Sequence, residues 1–390
     1  MNKSFQSWPS FSNEECEAVL DVLKSGKVNY WTGEECRNFE KDFAEWTGTN
    51  YSVAVANGTV ALDLALKALN IGFGDEVIVT SRTFLASVSS IVISGAIPIF
   101  ADVSANSQNI TVETIQPLIT KRTRAILAVH LAGWPCDMDS IIDLARQNNI
   151  AVIEDCAQAH GAKINGRSVG SFGDIGCWSF CQDKIMTTGG EGGMVTTNNK
   201  ELWSSMWSYK DHGKSWEAVY ERDHPPGFRW LHDTFGTNWR MLEMQATIGR
   251  IQLKRMAEWS SQRISNAQSI WKACQEFKHF RVPEIPRNVV HAAYKCYVFV
   301  KPEELKVGWD RDRVMNEISA QGVPCFSGSC SEVYLEKAFE ETNLRPKKRL
   351  PVAKELGENS LMFLVHPTLS KEDIEFTCEI IRKVSVKCAK

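Results

Sequence analysis

The sequence predicts an α/β protein with a large, mostly parallel mixed sheet flanked by helices and a smaller α+β C-terminal part. Over the first 260 residues, short Val- and Ile-rich runs alternate with segments of helical spacing. Continuous apolar runs of this kind indicate strands that are covered on both faces. Past residue 200 this alternation gives way to other patterns, and the last part of the chain has a predicted strand at 294–301 and a predicted helix at 310–322. We therefore expect two domains, 1–260 and 261–390, and allow for the N-terminal segment to pack on the smaller one.

The predicted elements follow one another at regular intervals. Between the strands, apolar positions recur every three to four residues, as in amphipathic helices. A loop rich in aromatic, Pro and Gly residues precedes a long helix, and long loops in compact domains are usually functional. The predicted strands are 51–56, 76–80, 97–102, 124–130, 150–155 and 176–181; the predicted helices are 59–70, 86–94, 138–149 and 241–276; the loop is 214–238.

Composition narrows the possible functions. The formal net charge of −3 gives no basic footprint for nucleic acid or for an anionic membrane. No apolar run is long enough to cross a bilayer, and the N-terminus lacks the apolar core of a secretory signal. The 12 cysteines form no CxxC pair, and the histidines have no metal-ligand spacing. We therefore expect a cytoplasmic protein with reduced thiols and no metal.

Polar residues follow the predicted strands, where open α/β sheets bind ligands. Asn57-Gly58-Thr59 opens a helix after the first strand, and a helix start with free N–H groups can bind an anion. The same residues also fit an ordinary N-cap. Phe84 follows the second strand and could belong either to the core or to a stacking surface.

A carboxylate ends the strand at 150–155. Glu154-Asp155 is followed by Gln158 and His160, and a buried acid is costly unless it meets a cation. A protonated pyridine nitrogen would be such a cation, although a helix N-cap would also explain Asp155.

Lys184 follows the next strand, which also delivers Ser179 to the same edge of the sheet. A phosphate site, an aromatic ring, a carboxylate, a hydroxyl and one lysine together match the needs of pyridoxal 5′-phosphate, whose aldehyde binds a lysine covalently. Gly189, Gly190, Gly192 and Gly193 would then let the backbone pass close to the cofactor. The alternative is a tight hairpin with its lysine in water.

These motifs resemble the DegT/StrS family of nucleotide-sugar aminotransferases. The resemblance rests on "NGTVALDLAL", "EDCAQAHGA", "SFCQDKIMTTGGEGGMVTTN", "GTNWRMLEMQATIGRIQL" and "FLVHPTLSKEDI", and runs from about Pro9 to beyond Ile374. It implies the aspartate-aminotransferase-like fold, known as PLP fold type I. It also implies a homodimer whose active sites are shared between subunits.

The resemblance also implies a role for each matching residue. Lys184 would bind the cofactor aldehyde, and Asp155 the pyridine nitrogen. Gln158 would lie beside the 3′ oxygen of the cofactor, and Phe84 would stack on its ring. The implied phosphate contacts are Gly58, Thr59, Ser179 and, from the neighbouring subunit, Asn238.

Candidate substrate contacts are Arg240, in the same motif as Asn238, Arg229 on the long loop, and His160 near the cofactor. For both arginines, plain exposure to solvent is the alternative. The chain departs from the family pattern at Cys181 and in "GVPCFSGSCSEVYLEKAF", which replaces a His- and Pro-containing stretch near the sugar pocket. These departures leave the sugar, and the roles of residues 214–238 and 323–331, undetermined.

The expected reaction moves an amino group from glutamate to a nucleotide-linked keto sugar. A 4-keto-6-deoxy hexose is the preferred acceptor, with a 3-keto sugar next, and the expected pathway is surface-glycan assembly such as lipopolysaccharide O-antigen. The rivals are a PLP-dependent sugar dehydrase, in which the lysine is often replaced by histidine, and a regulatory PLP-binding protein without turnover.

Overall fold

The computed structural model describes residues 5–390, and its largest element is a seven-stranded sheet. Two smaller sheets, of four and three strands, complete the strands of this part of the chain. The strands are β1 (Tyr51–Val55), β2 (Glu76–Thr80), β3 (Ile97–Ala101), β4 (Thr123–Val129), β5 (Ala151–Asp155), β6 (Lys163–Ile164), β7 (Arg167–Ser168), β8 (Ile175–Ser179), β9 (Gly193–Thr197), β10 (Phe280–Arg281), β11 (Val289–Val290), β12 (Cys296–Val300), β13 (Cys325–Phe326) and β14 (Ser360–Phe363).

The large sheet has the order β1-β9-β8-β5-β4-β2-β3. Strands β8, β5, β4, β2 and β3 pair in parallel, whereas β9 pairs antiparallel with both of its neighbours. All five residues of β2, β8 and β9 are buried, as their apolar runs predict. The predicted mixed, mostly parallel sheet is therefore confirmed.

Helices cover the sheets and connect their strands. The long helix predicted at 241–276 is observed at nearly the same bounds. The α-helices are α1 (Asn13–Ser25), α2 (Glu35–Thr47), α3 (Gly58–Ala68), α4 (Ala86–Ile93), α5 (Val112–Ile115), α6 (Met138–Gln147), α7 (Lys200–Tyr209), α8 (Trp216–Tyr220), α9 (Glu243–Gln275), α10 (Arg311–Ala320), α11 (Pro351–Asn359) and α12 (Lys371–Cys388).

The four-stranded antiparallel sheet, β10-β12-β14-β13, has its own hydrophobic core with α10 and α12. Helix α9 joins this core to that of the large sheet, because Met256 packs in one and Ala267 in the other. The expected domain boundary after residue 260 lies between these two residues and stays a prediction. At the N-terminal end, Phe5 packs against the second core, with its ring 6.4 Å from that of Phe376.

The loop predicted at 214–238 is not wholly irregular. It contains α8, which begins because the Ser215 side chain accepts a hydrogen bond from the Ala218 N–H. Helices α1 and α2, which the sequence analysis did not predict, pack on α9. Within residues 5–390, the cysteines are all free thiols, and no helix is long and apolar enough to cross a bilayer.

Candidate active site

A cavity of about 720 Å³ opens beyond the carboxyl ends of the parallel strands. Two walls enclose it. The first, which we call the sheet-edge wall, contains seven residues that the sequence analysis selected: Gly58, Thr59, Phe84, Asp155, Gln158, Ser179 and Lys184. The second, which we call the facing wall, contains Tyr294, Lys295, Tyr297, Gly328, Ser329 and Met362.

The start of α3 forms a narrow cradle beside β8. The Asn57 side chain caps the helix by accepting a hydrogen bond from the Val60 N–H at 3.0 Å. A Cβ on Gly58 would lie only 2.5 Å from the Ser179 Cβ, so only glycine leaves this space open. N–H groups in the first turn of a helix lack intrahelical partners. The cradle therefore offers N–H groups and the Ser179 hydroxyl to an anion.

Asp155 is fixed at the cavity wall by hydrogen bonds to both carboxylate oxygens. Its Oδ2 accepts from the Ser87 hydroxyl at 2.8 Å, and its Oδ1 from the Ala157 N–H at 3.1 Å. Its exposed fraction is 6%. Because a charge in so little water needs compensation, this carboxylate is suited to a cationic group of a ligand.

Gln158 and Phe84 occupy the same wall. Gln158 Oε1 accepts a hydrogen bond from the Ala132 N–H at 2.8 Å, which leaves the side-chain NH₂ group to donate. The Phe84 ring lines the cavity and is 70% exposed. This exposure leaves a flat apolar surface on which a ligand ring can stack.

Lys184 lies in the turn after β8, and its side chain is only 15% exposed. Its Nζ lies 3.9 Å from Asp183 Oδ1 and 5.2 Å from the centre of the Tyr294 ring. Its main chain is held at both ends, since its N–H donates to the Cys181 carbonyl and its own carbonyl accepts from the Trp8 indole at 2.8 Å. The amine is thus positioned inside the cavity and not directed into bulk water.

The glycines after Lys184 do not serve to bring the backbone close to the cofactor, as the sequence analysis predicted. A Cβ on Gly192 would lie 2.0 Å from Thr188 Oγ1, and one on Gly193 would lie 2.3 Å from the Asn57 carbonyl oxygen. Neither these two glycines nor Gly189 and Gly190 line the cavity within residues 5–390. Gly192 and Gly193 are therefore needed because protein atoms pack against them, whereas Gly189 and Gly190 have φ angles of +85° and +118°, which other residues rarely adopt.

Three predicted residues lie outside the cavity of the described chain. Asn238 pairs with Asp211 in an isolated β-bridge, and Arg240 Nη1 lies 2.6 Å from Asp211 Oδ1. Arg229 Nη2 donates to the Val219 carbonyl on the surface. A single chain thus gives no geometric support for substrate contacts by the two arginines, and the contact of Asn238 with a neighbouring subunit stays a prediction.

His160 is fully buried and lies behind the sheet-edge wall. Its ring centre is 5.2 Å from that of Trp178 and 5.7 Å from that of Phe180. Burial, followed by the positive charges of Lys184 and Arg263, lowers the pKa of His160 to about 3. A neutral, enclosed imidazole supports the wall, and its predicted contact with substrate gains no support.

The sequence analysis missed the facing wall. Tyr294 and Lys295 immediately precede β12, within a run interpreted only as a strand. Gly328 and Ser329 come from the segment whose role was left undetermined. The Tyr297 hydroxyl donates to Ser329 Oγ at 3.1 Å and accepts from the Ser329 N–H at 2.7 Å, which holds that segment against the cavity.

His130, Glu154 and Cys156 form a buried cluster below the cavity with atoms close enough to hold a metal ion. Glu154 already accepts from His130 and from the N–H groups of Gly170, Phe172 and Gly173. His130 Nδ1 accepts from the Cys136 N–H, so its Nε2 carries the proton donated to Glu154. We interpret the cluster as a hydrogen-bond network that orders the end of β5.

The sheet-edge wall fits pyridoxal 5′-phosphate. The cradle kept open by Gly58 suits the phosphate, the oriented Asp155 carboxylate suits the pyridine nitrogen, and the enclosed Lys184 amine suits the aldehyde. The fold and this cavity together define the class of pyridoxal-phosphate-dependent aminotransferases.

Comparison with known proteins identifies the family. Residues 9–382 match the DegT/DnrJ/EryC1/StrS aminotransferase family, and the chain belongs to it. The resemblance, the fold class, the cofactor and the aminotransferase activity predicted from the sequence are therefore confirmed.

Individual relatives cover nearly the whole chain. GDP-perosamine synthase of Escherichia coli O157:H7 is 35% identical over 378 residues, covering 96% of each chain. UDP-N-acetyl-3-dehydro-alpha-D-glucosamine 3-aminotransferase of Acidithiobacillus ferrooxidans is 36% identical over 361 residues, covering 91% of this chain and 90% of the relative. Among solved structures, an aminotransferase from Psychrobacter cryohalolentis is 60% identical with a TM-score of 0.97, covering 98% of this chain and 99% of that one.

Proposed function

We propose that this chain transfers an amino group from glutamate to the keto carbon of a nucleotide-linked sugar. The preferred acceptor is a 4-keto-6-deoxy hexose, which gives the 4-amino sugar. The observation that carries the proposal is that Lys184 and Asp155 face one cavity next to an anion cradle. The relative from E. coli supports a nucleotide-linked product by its name, GDP-perosamine synthase.

A 3-keto sugar is the second candidate acceptor. It is favoured by the A. ferrooxidans relative, whose name states a UDP-linked 3-dehydro sugar. Both candidates require the same chemistry at the nitrogen, so they differ only in how the sugar is held against the facing wall.

Each residue of the sheet-edge wall has a task in this reaction. When bound, pyridoxal 5′-phosphate supplies an aldehyde that accepts the amine and a ring that withdraws electrons. Lys184 Nζ is the attachment point and then, once free, the base that takes the proton from the α-carbon of glutamate. Asp155 keeps the pyridine nitrogen protonated, because a nearby negative charge favours the charged form.

The remaining contacts position the cofactor. The N–H groups of Gly58 and Thr59 and the Ser179 hydroxyl bind its phosphate at the start of α3. The NH₂ group of Gln158 donates to the 3′ oxygen, and the Phe84 ring stacks on the pyridine. Each of these groups lines the cavity.

The proposal includes a homodimer in the cytoplasm that serves surface-glycan assembly, such as lipopolysaccharide O-antigen. In it, Asn238 contacts the phosphate bound by the neighbouring subunit. Phe228, Trp230 and Phe235, on the segment that leads to Asn238, are largely exposed, and this supports a subunit contact there because exposed apolar patches mark protein–protein interaction sites.

A panel of UDP-, dTDP- and GDP-linked 3-keto and 4-keto sugars tests the proposal. Each is incubated with glutamate and the holoenzyme, and the position of the new amine is determined by NMR. We expect amination at C4 of a 6-deoxy sugar, with the matching alcohols as unreactive controls. Amination at C3 would replace the preferred acceptor with the second one.

Absorbance separates the rivals. Glutamate should shift the visible band of the lysine-bound cofactor, and a keto sugar should restore it. A band that no amino donor moves would favour a regulatory binding protein, and loss of a hydroxyl in place of amination would favour a dehydrase. The presence of Lys184 weighs against the dehydrase.

A further inference from the structure

Lys295 is a cation of the facing wall that forms no ion pair with the described residues. Its side chain lines the cavity, and its Nζ lies 4.7 Å from the centre of the Tyr294 ring. Lys184 Nζ lies 5.2 Å from the same ring centre. Within residues 5–390, Lys184 forms an ion pair with Asp183 at 3.9 Å, whereas Lys295 forms none.

A second cation lies close behind. Arg263 on α9 is 2% exposed, and its Nε and Nη2 have no hydrogen-bond partner among the described residues. Burial lowers the pKa of the Arg263 guanidinium to about 9. The pKa of Lys295 is lowered by burial and by the charges of Arg263 and Lys184, against the opposing effect of Asp183.

The charges on this side of the cavity do not balance. Among the described residues, the charged groups that act on Lys295 are one negative group, Asp183, and two positive groups, Arg263 and Lys184. Buried charges are unfavourable unless paired, so an uncompensated ammonium that lines a cavity is suited to an anionic ligand. The cofactor phosphate is not that ligand, because its cradle lies at the start of α3.

Two anions remain in the proposed reaction: a carboxylate of the amino donor and the diphosphate of the acceptor. The α-carboxylate of an amino acid is attached to the carbon that bears the reacting amine. A diphosphate is separated from the keto carbon by part of the sugar ring. Since Lys184 and Lys295 lie beside the same tyrosine ring, the nearer anion is the donor carboxylate.

We propose that Lys295 binds a carboxylate of the amino donor and thereby selects an anionic donor such as glutamate. This inference rests on the proposed function and adds to it a specificity-determining residue. Arg263 acts behind Lys295, where it raises the positive potential of this side of the cavity.

Glutarate is the probe, because it carries both carboxylates of glutamate and has no amine to react. Its dissociation constant is measured by calorimetry on the holoenzyme for the wild type, Lys295→Gln, Lys295→Met and Lys295→Arg. A charge-assisted hydrogen bond contributes about 1.5–3 kcal/mol, so both neutral variants should bind glutarate at least about tenfold more weakly. Lys295→Arg should stay close to the wild type.

Two controls make the outcome specific. Lys301→Gln changes a lysine at the other end of β12, outside the cavity, and should not alter glutarate binding. The nucleoside diphosphate of the accepted sugar should bind equally well to all variants. The visible band shows that each variant holds its cofactor. If only one of the two neutral variants folds, that variant alone provides the comparison with the wild type.

Several outcomes would overturn the inference. The first is glutarate binding that is unchanged in the neutral variants. The second is that these variants bind the nucleoside diphosphate, and not glutarate, more weakly. The third is that the wild type does not bind glutarate. If Lys295 controls glutarate binding while no nucleotide-linked keto sugar is aminated, the proposed function fails and this inference stands. If keto sugars are aminated and the Lys295 variants bind glutarate as tightly as the wild type, only the inference fails.

Discussion

The two walls of the cavity differ in how far the protein already binds their charged groups. In the sheet-edge wall, both oxygens of Asp155 and the carbonyl oxygen of Gln158 accept hydrogen bonds from the protein. In the facing wall, Lys295 has no ion pair among the described residues, and Gly328 and Ser329 belong to a loop.

This difference matches the two kinds of ligand that the cavity would hold. A cofactor that stays bound is best served by groups fixed in advance, because orientation then costs nothing during the reaction. Substrates that come and go in two half-reactions need groups with bonding capacity to spare. Changes in the sheet-edge wall should therefore abolish chemistry, whereas changes in the facing wall should alter substrate affinity.

Replacing Lys184 with Ala should have the largest effect. The variant loses both the attachment point and the proton-transferring amine, and turnover should fall by at least about 1000-fold. Rate measurements and the loss of the visible band check this. Lys200→Ala, on the exposed start of α7, is the matched control; a Lys184→Ala enzyme with normal turnover would contradict the mechanism.

Asp155→Asn should rank second. The amide keeps the size of the side chain and removes the charge that holds the proton on the pyridine nitrogen, so kcat should fall on the order of 100-fold. Ser87→Ala removes one hydrogen bond and keeps the charge, and should cost only about 1 kcal/mol, or roughly fivefold. Equal losses in the two variants would show that the charge of Asp155 is not what matters.

Gly58→Ala should weaken cofactor binding. Its Cβ would meet the Ser179 side chain at 2.5 Å, and overpacking of this kind costs about 1–3 kcal/mol, which raises the cofactor dissociation constant about 5- to 150-fold. Titration of the apoenzyme with cofactor measures this. Gly72→Ala, where the nearest atom is the Ser94 carbonyl oxygen at 3.4 Å, is the control; matching affinities would mean that the cradle is not the phosphate site.

Tyr297→Phe should have the smallest effect and should act on the substrate alone. It removes both hydrogen bonds to Ser329, at about 1 kcal/mol each, so the KM for the keto sugar should rise several-fold with the cofactor spectrum unchanged. Tyr334→Phe, whose hydroxyl bonds Glu332 outside the cavity, is the control. A changed spectrum in Tyr297→Phe would erase the distinction between the two walls.

The sheet-edge wall could be predicted from the sequence because strand ends suffice to locate it. Once β5 and β8 are recognised, Asp155 and Lys184 must lie at the same edge of a parallel sheet. The facing wall could not be found in this way, since the run around Tyr294 and Lys295 indicates only a strand. Its position depends on how a second sheet, more than a hundred residues further along, packs against the first.

Spacing along the chain did not show the surroundings of two other features. Gly192 and Gly193 follow Lys184 closely, yet they are small because Thr188 and Asn57 leave no room for a Cβ. His160 follows Asp155 by five residues, yet it lies within an aromatic core. In both places the neighbours that decide the role come from other parts of the chain.

The hydrogen bond from Trp8 to Lys184 is part of a connection between the turn after β8 and the segment before α12. The Ser7 carbonyl accepts a hydrogen bond from Thr368 Oγ1, just before α12, and the next residue donates to the carbonyl of Lys184. A shift of the segment before α12 would therefore act on the main chain of Lys184 through residues 7 and 8. Shortening or displacing residues 5–8 would break these two hydrogen bonds and leave every strand pair of the seven-stranded sheet intact.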